Sequence, residues 1–331
     1  MSSKIQFAIL ALAASAAPLF AGCTSETAGE TSDTSSSESE LGRRRAPVYL
    51  NHTYGMMSPA TIDALQHDAY LSNEFVDVEV RTTVTPDRSW TGTYLNMRET
   101  YLEFFPVGTF GFPSGVFGLG LGVDDTGGID ALQTRWKTEF GDDQVALAPQ
   151  SHEVNGVQVP WFKSLSMSWS DSSNYAAIWA MEYFPSPGST TPRTRLQERA
   201  ARYAPSKLAR NVSAAVYGIE TADAAFLRRT FTSAGWQVQN EGNGFVGISP
   251  LDGGVRRRLH FVITTTGRLG LLGLTIRMNR YDRRIEPLGD GILDVGAGGR
   301  KQAFLWFLTP TTPEQTALSS AEGADDAESA E

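Results

Sequence analysis

Short alternating apolar segments, punctuated by glycine and proline, recur along most of this chain. Residues 48–54 alternate as a strand, which places Leu50, His52 and Tyr54 on one face. Ser58 then caps a helix whose first position is Pro59, a favoured start, and Ile62 and Leu65 give it an apolar side. Residues 76–84 are rich in β-branched side chains and stop at Pro86-Asp87. Residues 90–97 and 100–105 read as two arms of a hairpin that turns at Arg98-Glu99. The predicted unit is strand, helix, then three strands.

The series restarts at Val116. A strand with glycine at 118, 120 and 122 leads to a helix capped by Asp125 or Thr126, with Ile129, Leu132, Trp136 and Phe140 on one side and Gly141 at its end. Strands are predicted at 157–162, 164–169 and 175–184. Two echoes mark a duplication: Ile62-Asp63-Ala64-Leu65-Gln66 against Ile129-Asp130-Ala131-Leu132-Gln133, and Tyr101-Leu102-Glu103-Phe104-Phe105-Pro106 against Ala180-Met181-Glu182-Tyr183-Phe184-Pro185. An arginine-rich stretch at 189–210 reads as a linker helix. A third unit follows, with strands at 212–219, 245–248, 259–264, 269–278 and 302–308 and a helix capped at Thr221 and closed by Gly235. In its last strand Trp306 stands where the earlier copies carry glutamate. The expected class is α+β: βαβββ modules at 48–110 and 111–188, then a third related module at 211–310.

The ends add a location. Lys4 and an apolar run to Ala17 read as an export signal over 1–22, too short for a membrane span. It closes on Leu19-Phe20-Ala21-Gly22-Cys23, which resembles the lipobox of bacterial lipoproteins. Cys23 is the only cysteine in 331 residues, so it forms no internal disulfide and is the expected lipidation site. Thr24 after it favours the outer membrane. Residues 23–47 read as a disordered tether and 311–331 as a disordered acidic tail. A net charge of −9 excludes nucleic acid as the expected partner, because phosphate binding needs a concentrated positive face. No residue pattern names a protein partner.

A strand–helix–three-strand repeat with LNHTYG on its first strand and TYLEFFP on its last resembles the vicinal oxygen chelate superfamily. That superfamily includes glyoxalase I, extradiol dioxygenases and bleomycin-resistance proteins. The likeness covers residues 48–185 and extends weakly to the third unit. The chain also resembles an uncharacterised family of bacterial lipoproteins. The superfamily likeness implies two modules forming a half-open cup, with metal ligands on the first and fourth strands. It carries a divalent zinc, manganese, iron or nickel onto His52, Glu103 and Glu182; the fourth position falls on Leu119, which binds no metal. Tyr54, Tyr101, Phe105 and Phe184 are the expected aromatic walls of a small-molecule pocket.

Three functions follow from this pattern: a metal-dependent isomerase or lyase, a non-catalytic small-molecule binder, or an envelope interaction protein with a filled cup. A blander account keeps each acid as a partner of Arg81, Arg98 or Arg135, and His52 as a core histidine. His67 and His152 are expected at the surface, and Asp124-Asp125 as helix capping.

Overall fold

One helix, kept or lost, decides how each repeat pairs its strands. The computed structural model describes residues 46–86, 88–167, 175–264 and 268–307. The lipidation candidate Cys23, the leader, most of the tether and the acidic tail lie outside the described residues.

The first repeat comprises β1 (Val48–Met57), α1 (Pro59–His67), β2 (Asp77–Val84), β3 (Ser89–Asn96) and β4 (Tyr101–Pro106). The second comprises β5 (Phe117–Val123), α2 (Gly128–Phe140), β6 (Val145–Val154), β7 (Val157–Met167) and β8 (Ala176–Pro185). A helical crossover returns the chain to its starting end, so β4 lies parallel to β1 and β8 parallel to β5. Antiparallel pairing of β1 with β5 joins both repeats into one sheet, ordered β2-β3-β4-β1-β5-β8-β7-β6. Strand β6 escapes the sequence pattern because Pro149 interrupts it. An edge strand tolerates that proline, since the lost N–H can face solvent. The two strands expected around Lys163 are one, β7.

The predicted linker helix is short: β9 (Pro192–Arg193) leads into α3 (Arg195–Arg199). Thr194 and Gln197 form a reciprocal capping box at its start. The predicted third module is in fact two repeats. One comprises β10 (Ala209–Ile219), α4 (Thr221–Ser233), β11 (Gln237–Glu241), β12 (Gly244–Ile248) and β13 (Arg258–Ile263); Thr221 is the first residue of α4, and Glu220 takes the capping position predicted for it. The other is β14 (Gly270–Met278), β15 (Arg284–Leu288), β16 (Gly291–Val295) and β17 (Gln302–Phe307), with no α-helix between its first two strands. Without a crossover the three-strand meander starts from the opposite end, and β17 runs antiparallel to β14. Trp306 therefore lies on a reversed strand and is not the counterpart of Glu103 or Glu182. Helix α1 of the first repeat covers the ground of the missing helix by packing on β15. There Ser58 Oγ donates to Asp290 Oδ2 at 2.5 Å and the Asp290 N–H donates to Thr61 Oγ1 at 3.0 Å.

The backs of both sheets and helices α1, α2 and α4 share one core. Phe117 stacks on Tyr217 at 4.7 Å, and Phe104 meets Phe307 at 5.5 Å. The Tyr217 hydroxyl donates to Thr53 Oγ1 (3.0 Å), which donates to the Gly118 carbonyl (2.9 Å). The other face of each curled sheet points away from this core. The first cup is closed: edge strands β2 and β6 approach each other, and α3 lies over one end. The second is open and exposes Ile285, Ile292 and Trp306.

Candidate functional site

Strand alternation aims His52, Tyr54 and Met56 of β1 into the closed cup, beside Tyr101, Glu103 and Phe105 of β4. The register sets His52 against Tyr101 and Tyr54 against Glu103. Across β1, the bare strand β5 presents Gly118, Gly120 and Gly122. A Cβ at these positions would run into the ring of Tyr54, the ring of His52 and the stem of Arg195. The glycines thus admit the protein's own side chains, which fill the space the sequence left open for a strand or a ligand.

The result is a ladder of rings. Phe110 meets Phe105 at 5.4 Å, Phe105 meets Tyr54 at 5.7 Å, and Tyr54 meets Trp179 at 5.8 Å. Trp179 stands edge-on to His52 at 5.0 Å, and His52 stacks on Tyr101 at 4.3 Å with planes 13° apart. The guanidinium of Arg199 covers Tyr101 at 4.3 Å and ends the ladder. At the other end lies a mouth of partly exposed rings, Trp90, Phe112, Tyr175 and Trp179. Phe110, 39% exposed, belongs to this mouth although its φ of 59° is left-handed. That conformation costs a non-glycine residue about 1–2 kcal/mol, so the ring is held there by its surroundings.

The polar members sit midway. His52 is 2% exposed and Glu103 8%. Burial pulls the His52 imidazole down to about 3, helped by the charge of Arg199. Burial pushes the Glu103 carboxyl up, opposed by hydrogen bonds from Tyr94 and Trp90 and by the charges of Arg81 and Arg199. His52 Nε2 lies 4.0 Å from Glu103 Oε2. With the imidazole neutral, this contact is not an ion pair, and it is too long for a hydrogen bond. Nδ1 faces Asn51 Oδ1 at 3.2 Å, and Asn51 Nδ2 donates to the Tyr183 hydroxyl at 3.1 Å.

Glu182 does not join this group. Its strand runs one residue out of phase with β4, so Glu182 faces the helices while Tyr183 takes the inward position. The Ile129 N–H in the first turn of α2 donates to Glu182 Oε2 at 3.3 Å, and Lys163 Nζ lies 3.5 Å from Oε1. This carboxylate answers the positive end of a helix that has no side-chain cap of its own, in place of the predicted Asp125 or Thr126. Phe184 follows Glu182 and is only half-buried; it is not a wall of the cup. Tyr54, Tyr101 and Phe105 are. The metal implied by the family resemblance meets a donor set that does not fit: one imidazole and one carboxylate, with glycines on β5 opposite. Among the described residues no three His, Cys, Asp or Glu side chains converge.

Two arginines on α3 were missed, because an arginine-rich stretch after a repeat reads as a solvated linker. Arg195 is buried. Its Nη2 donates to Asp124 Oδ2 (3.0 Å), its Nη1 to Asp252 Oδ2 (3.0 Å) and to the Leu50 carbonyl (2.9 Å). Asp124, expected as a helix cap, is thus the latch for α3. Asp252 also holds Arg257, whose Nη2 donates to Glu99 Oε2 at 3.0 Å. Four residues later, Arg199 is 3% exposed. Its Nε and Nη1 have no hydrogen-bond partner among the described residues. The i, i+4 spacing of the two arginines was the available signal. His67 is exposed as predicted, whereas His152 is half-buried and stacks on Trp161 at 4.7 Å.

Comparison with known proteins gives a family but no activity. No curated protein matches this chain. Among solved structures, a hypothetical protein from Staphylococcus aureus superposes with a TM-score of 0.43 and 10% identity, over 65% of this chain and 86% of that one. A xylose isomerase-like TIM barrel/4-hydroxyphenylpyruvate dioxygenase fusion protein gives 0.38 and 10%, over 72% of this chain and 37% of its own. A triple mutant of 4-hydroxymandelate synthase from Streptomyces coelicolor gives 0.35 and 14%, over 65% and 63%. TM-scores below one half carry no argument about chemistry. A family model spans residues 50–306, and the chain belongs to that family, DUF5829, a family of unknown function.

Proposed function

We propose that this protein is a non-catalytic binder of a small, ring-bearing organic molecule, built on paired modules of the vicinal oxygen chelate type. The supporting observation is the ring ladder running from the mouth at Phe110 and Trp90 to the buried group around His52 and Glu103. Binding pockets are mostly aromatic and apolar with a few placed polar groups, and this interior has that composition. The partly exposed rings at the mouth are the groups a ligand would displace on entry. Among the described residues, His52 and Glu103 have no third His, Cys, Asp or Glu beside them to support the metal-dependent isomerase or lyase reading. On the same reading a lipid on Cys23 attaches the chain to the outer membrane, with the lipobox-like residues 19–23 supporting the lipid and Thr24 the outer-membrane destination.

Thermal-shift titration of the full chain with a panel of small ring compounds, neutral, anionic and cationic, tests the reading. At least one class should raise Tm by several degrees, and Trp179→Leu should remove the rise. A panel without effect, or an effect untouched by Trp179→Leu, contradicts it.

A second reading, interaction with another envelope protein, draws on the open face of the second sheet, where Trp306 is 47% exposed. Trp306→Ser with Ile285→Ser would then abolish capture of that partner and leave ring binding intact.

A further inference from the structure

The open face of the second sheet carries an apolar track that runs toward cations. Register sets Trp306 of β17 between Gly273 of β14 and Ile292 of β16, and Phe304 between Thr275 and Asp294. Ile285 of β15 stands opposite Asp294. Alternation turns these residues away from the shared core, which takes Leu274, Leu293 and Leu305 instead. The indole of Trp306 lies across Gly273, where any Cβ would strike it, and stacks on Phe304 at 6.1 Å with planes 21° apart. Trp306 is nonetheless 47% exposed, Ile292 45% and Ile285 62%. Single apolar residues at a surface need no account, but here three adjacent strands present them side by side.

The other end of this face is positively charged. Arg277 sits opposite Gln302, four residues before Trp306 on β17, and Arg258 sits opposite Ala214. Both are exposed, and neither forms an ion pair among the described residues. His260, on the next row, is paired with Glu241. Arg277 also borders a polar recess of about 10 Å³ with Arg210, Arg257, Asn211 and Glu99. That volume has room for one water. Glu99 is the only acid among the lining residues, and Arg257 and Asn211 already donate to it. The rim is therefore left with uncompensated positive charge.

We propose that this open face binds a single-chain fatty carboxylate, its head at Arg277 and Arg258 and its alkyl chain laid along Phe304, Trp306 and Ile292. The site is separate from the first cup and does not depend on ring binding there; it competes with the protein-docking reading of the same face. From Arg277–Gln302 to Gly273–Trp306 the strands run four residues, about 13 Å at 3.3 Å per residue. An extended alkyl chain of middle length spans that track. Its burial against Trp306 and Ile292 supplies binding in proportion to its length. Charge sets the direction: Arg277 and Arg258 attract the head, and Asp294 repels it from the Ile285 end. With Glu99 and Asp294 both near the track, a compact single negative charge is favoured over a doubly charged phosphate ester.

The test uses the full chain and amphiphiles held below their micelle concentrations. Calorimetry should show one saturable dodecanoate site per chain, at least tenfold tighter than hexanoate and than dodecyltrimethylammonium. Trp306→Ala should weaken dodecanoate at least tenfold, and Arg277→Gln combined with Arg258→Gln at least fivefold. These positions are exposed, so an unchanged Tm in the ligand-free variants shows that the fold is intact. Hydrogen exchange with dodecanoate should slow in β14, β16 and β17 and stay unchanged in β1 and β4. Equal binding of the carboxylate and the ammonium, tighter binding of dodecyl phosphate, undiminished affinity in Trp306→Ala, or protection confined to the first sheet overturns the proposal. Uptake without saturation overturns it as well. Absence of dodecanoate binding also overturns it, and sedimentation velocity then separates a face that self-associates from one left to another protein. None of these outcomes bears on ring binding in the first cup.

Discussion

His52 is the residue whose surroundings most change its chemistry. The unfolded chain titrates it near 6.5 and the folded chain near 3, so the unfolded state binds the extra proton throughout that window. Its contribution is therefore full above 6.5 and is lost as pH falls toward 3, by roughly 4–5 kcal/mol at 1.36 kcal/mol per pKa unit. Glu103 acts in the opposite sense: its raised carboxyl favours the fold at low pH and loses that advantage as pH rises. His52→Gln should flatten the fall in stability between pH 6.5 and 3, measured by urea unfolding across that range. Glycines on β5 offer a second check. Gly120→Ala sets a Cβ inside the His52 ring and should cost at least about 1–3 kcal/mol. At the mouth, Phe110→Gly relieves a left-handed backbone and should change stability by less than about 1 kcal/mol while weakening ring binding. Residues of this kind were half legible in the sequence. Alternation groups His52 with Tyr54, and Tyr101 with Glu103 and Phe105, but it also sets Leu50 beside His52, and a bulge between those two sends Leu50 to the shared core; the burial of Arg199 depends on contacts from strands far away in the chain.

At the scale of elements, phase and direction decided what the repeat could convey. The echo between Tyr101–Pro106 and its copy is real, yet a one-residue offset sends Glu182 to α2 instead of the cup. A period-two structure turns such a slip into a change of face. Glu182→Ala should therefore act on the helix: about 1–3 kcal/mol lost for leaving the Ile129 N–H unsatisfied, faster exchange in the first turn of α2, and no effect on ligand binding. Helices were the most legible elements. The Ser58 cap, the Pro59 start and the Gly141 stop of the predicted helices all stand in the structure. The second module pair was not legible, because deletion of its helix reverses the meander and erases the spacing that marks the repeat. Helix α3 is held chiefly by Arg195, and Arg195→Met should open 192–203 to limited proteolysis and faster hydrogen exchange while the sheets stay protected.

Two sheets that share one core predict a single unfolding event. Phe117–Tyr217, Phe104–Phe307 and the Trp236–Val48 hydrogen bond (2.8 Å) join the pairs through their backs, so neither can shed its partner without exposing apolar surface. Tryptophan fluorescence and far-ultraviolet circular dichroism should report coincident transitions. The proposed lipid anchor is tested at this scale as well: Cys23→Ala should release the chain from the membrane fraction. The most direct measurement of the central claim is hydrogen exchange of the full chain with and without a saturating amount of the ring compound that raises Tm most. Slowed exchange in β1, β4, β8 and the α3 segment, with β14 to β17 unchanged, is the predicted result. Protection confined to the second sheet, or absent from β1 and β4, would contradict a ligand site in the first cup.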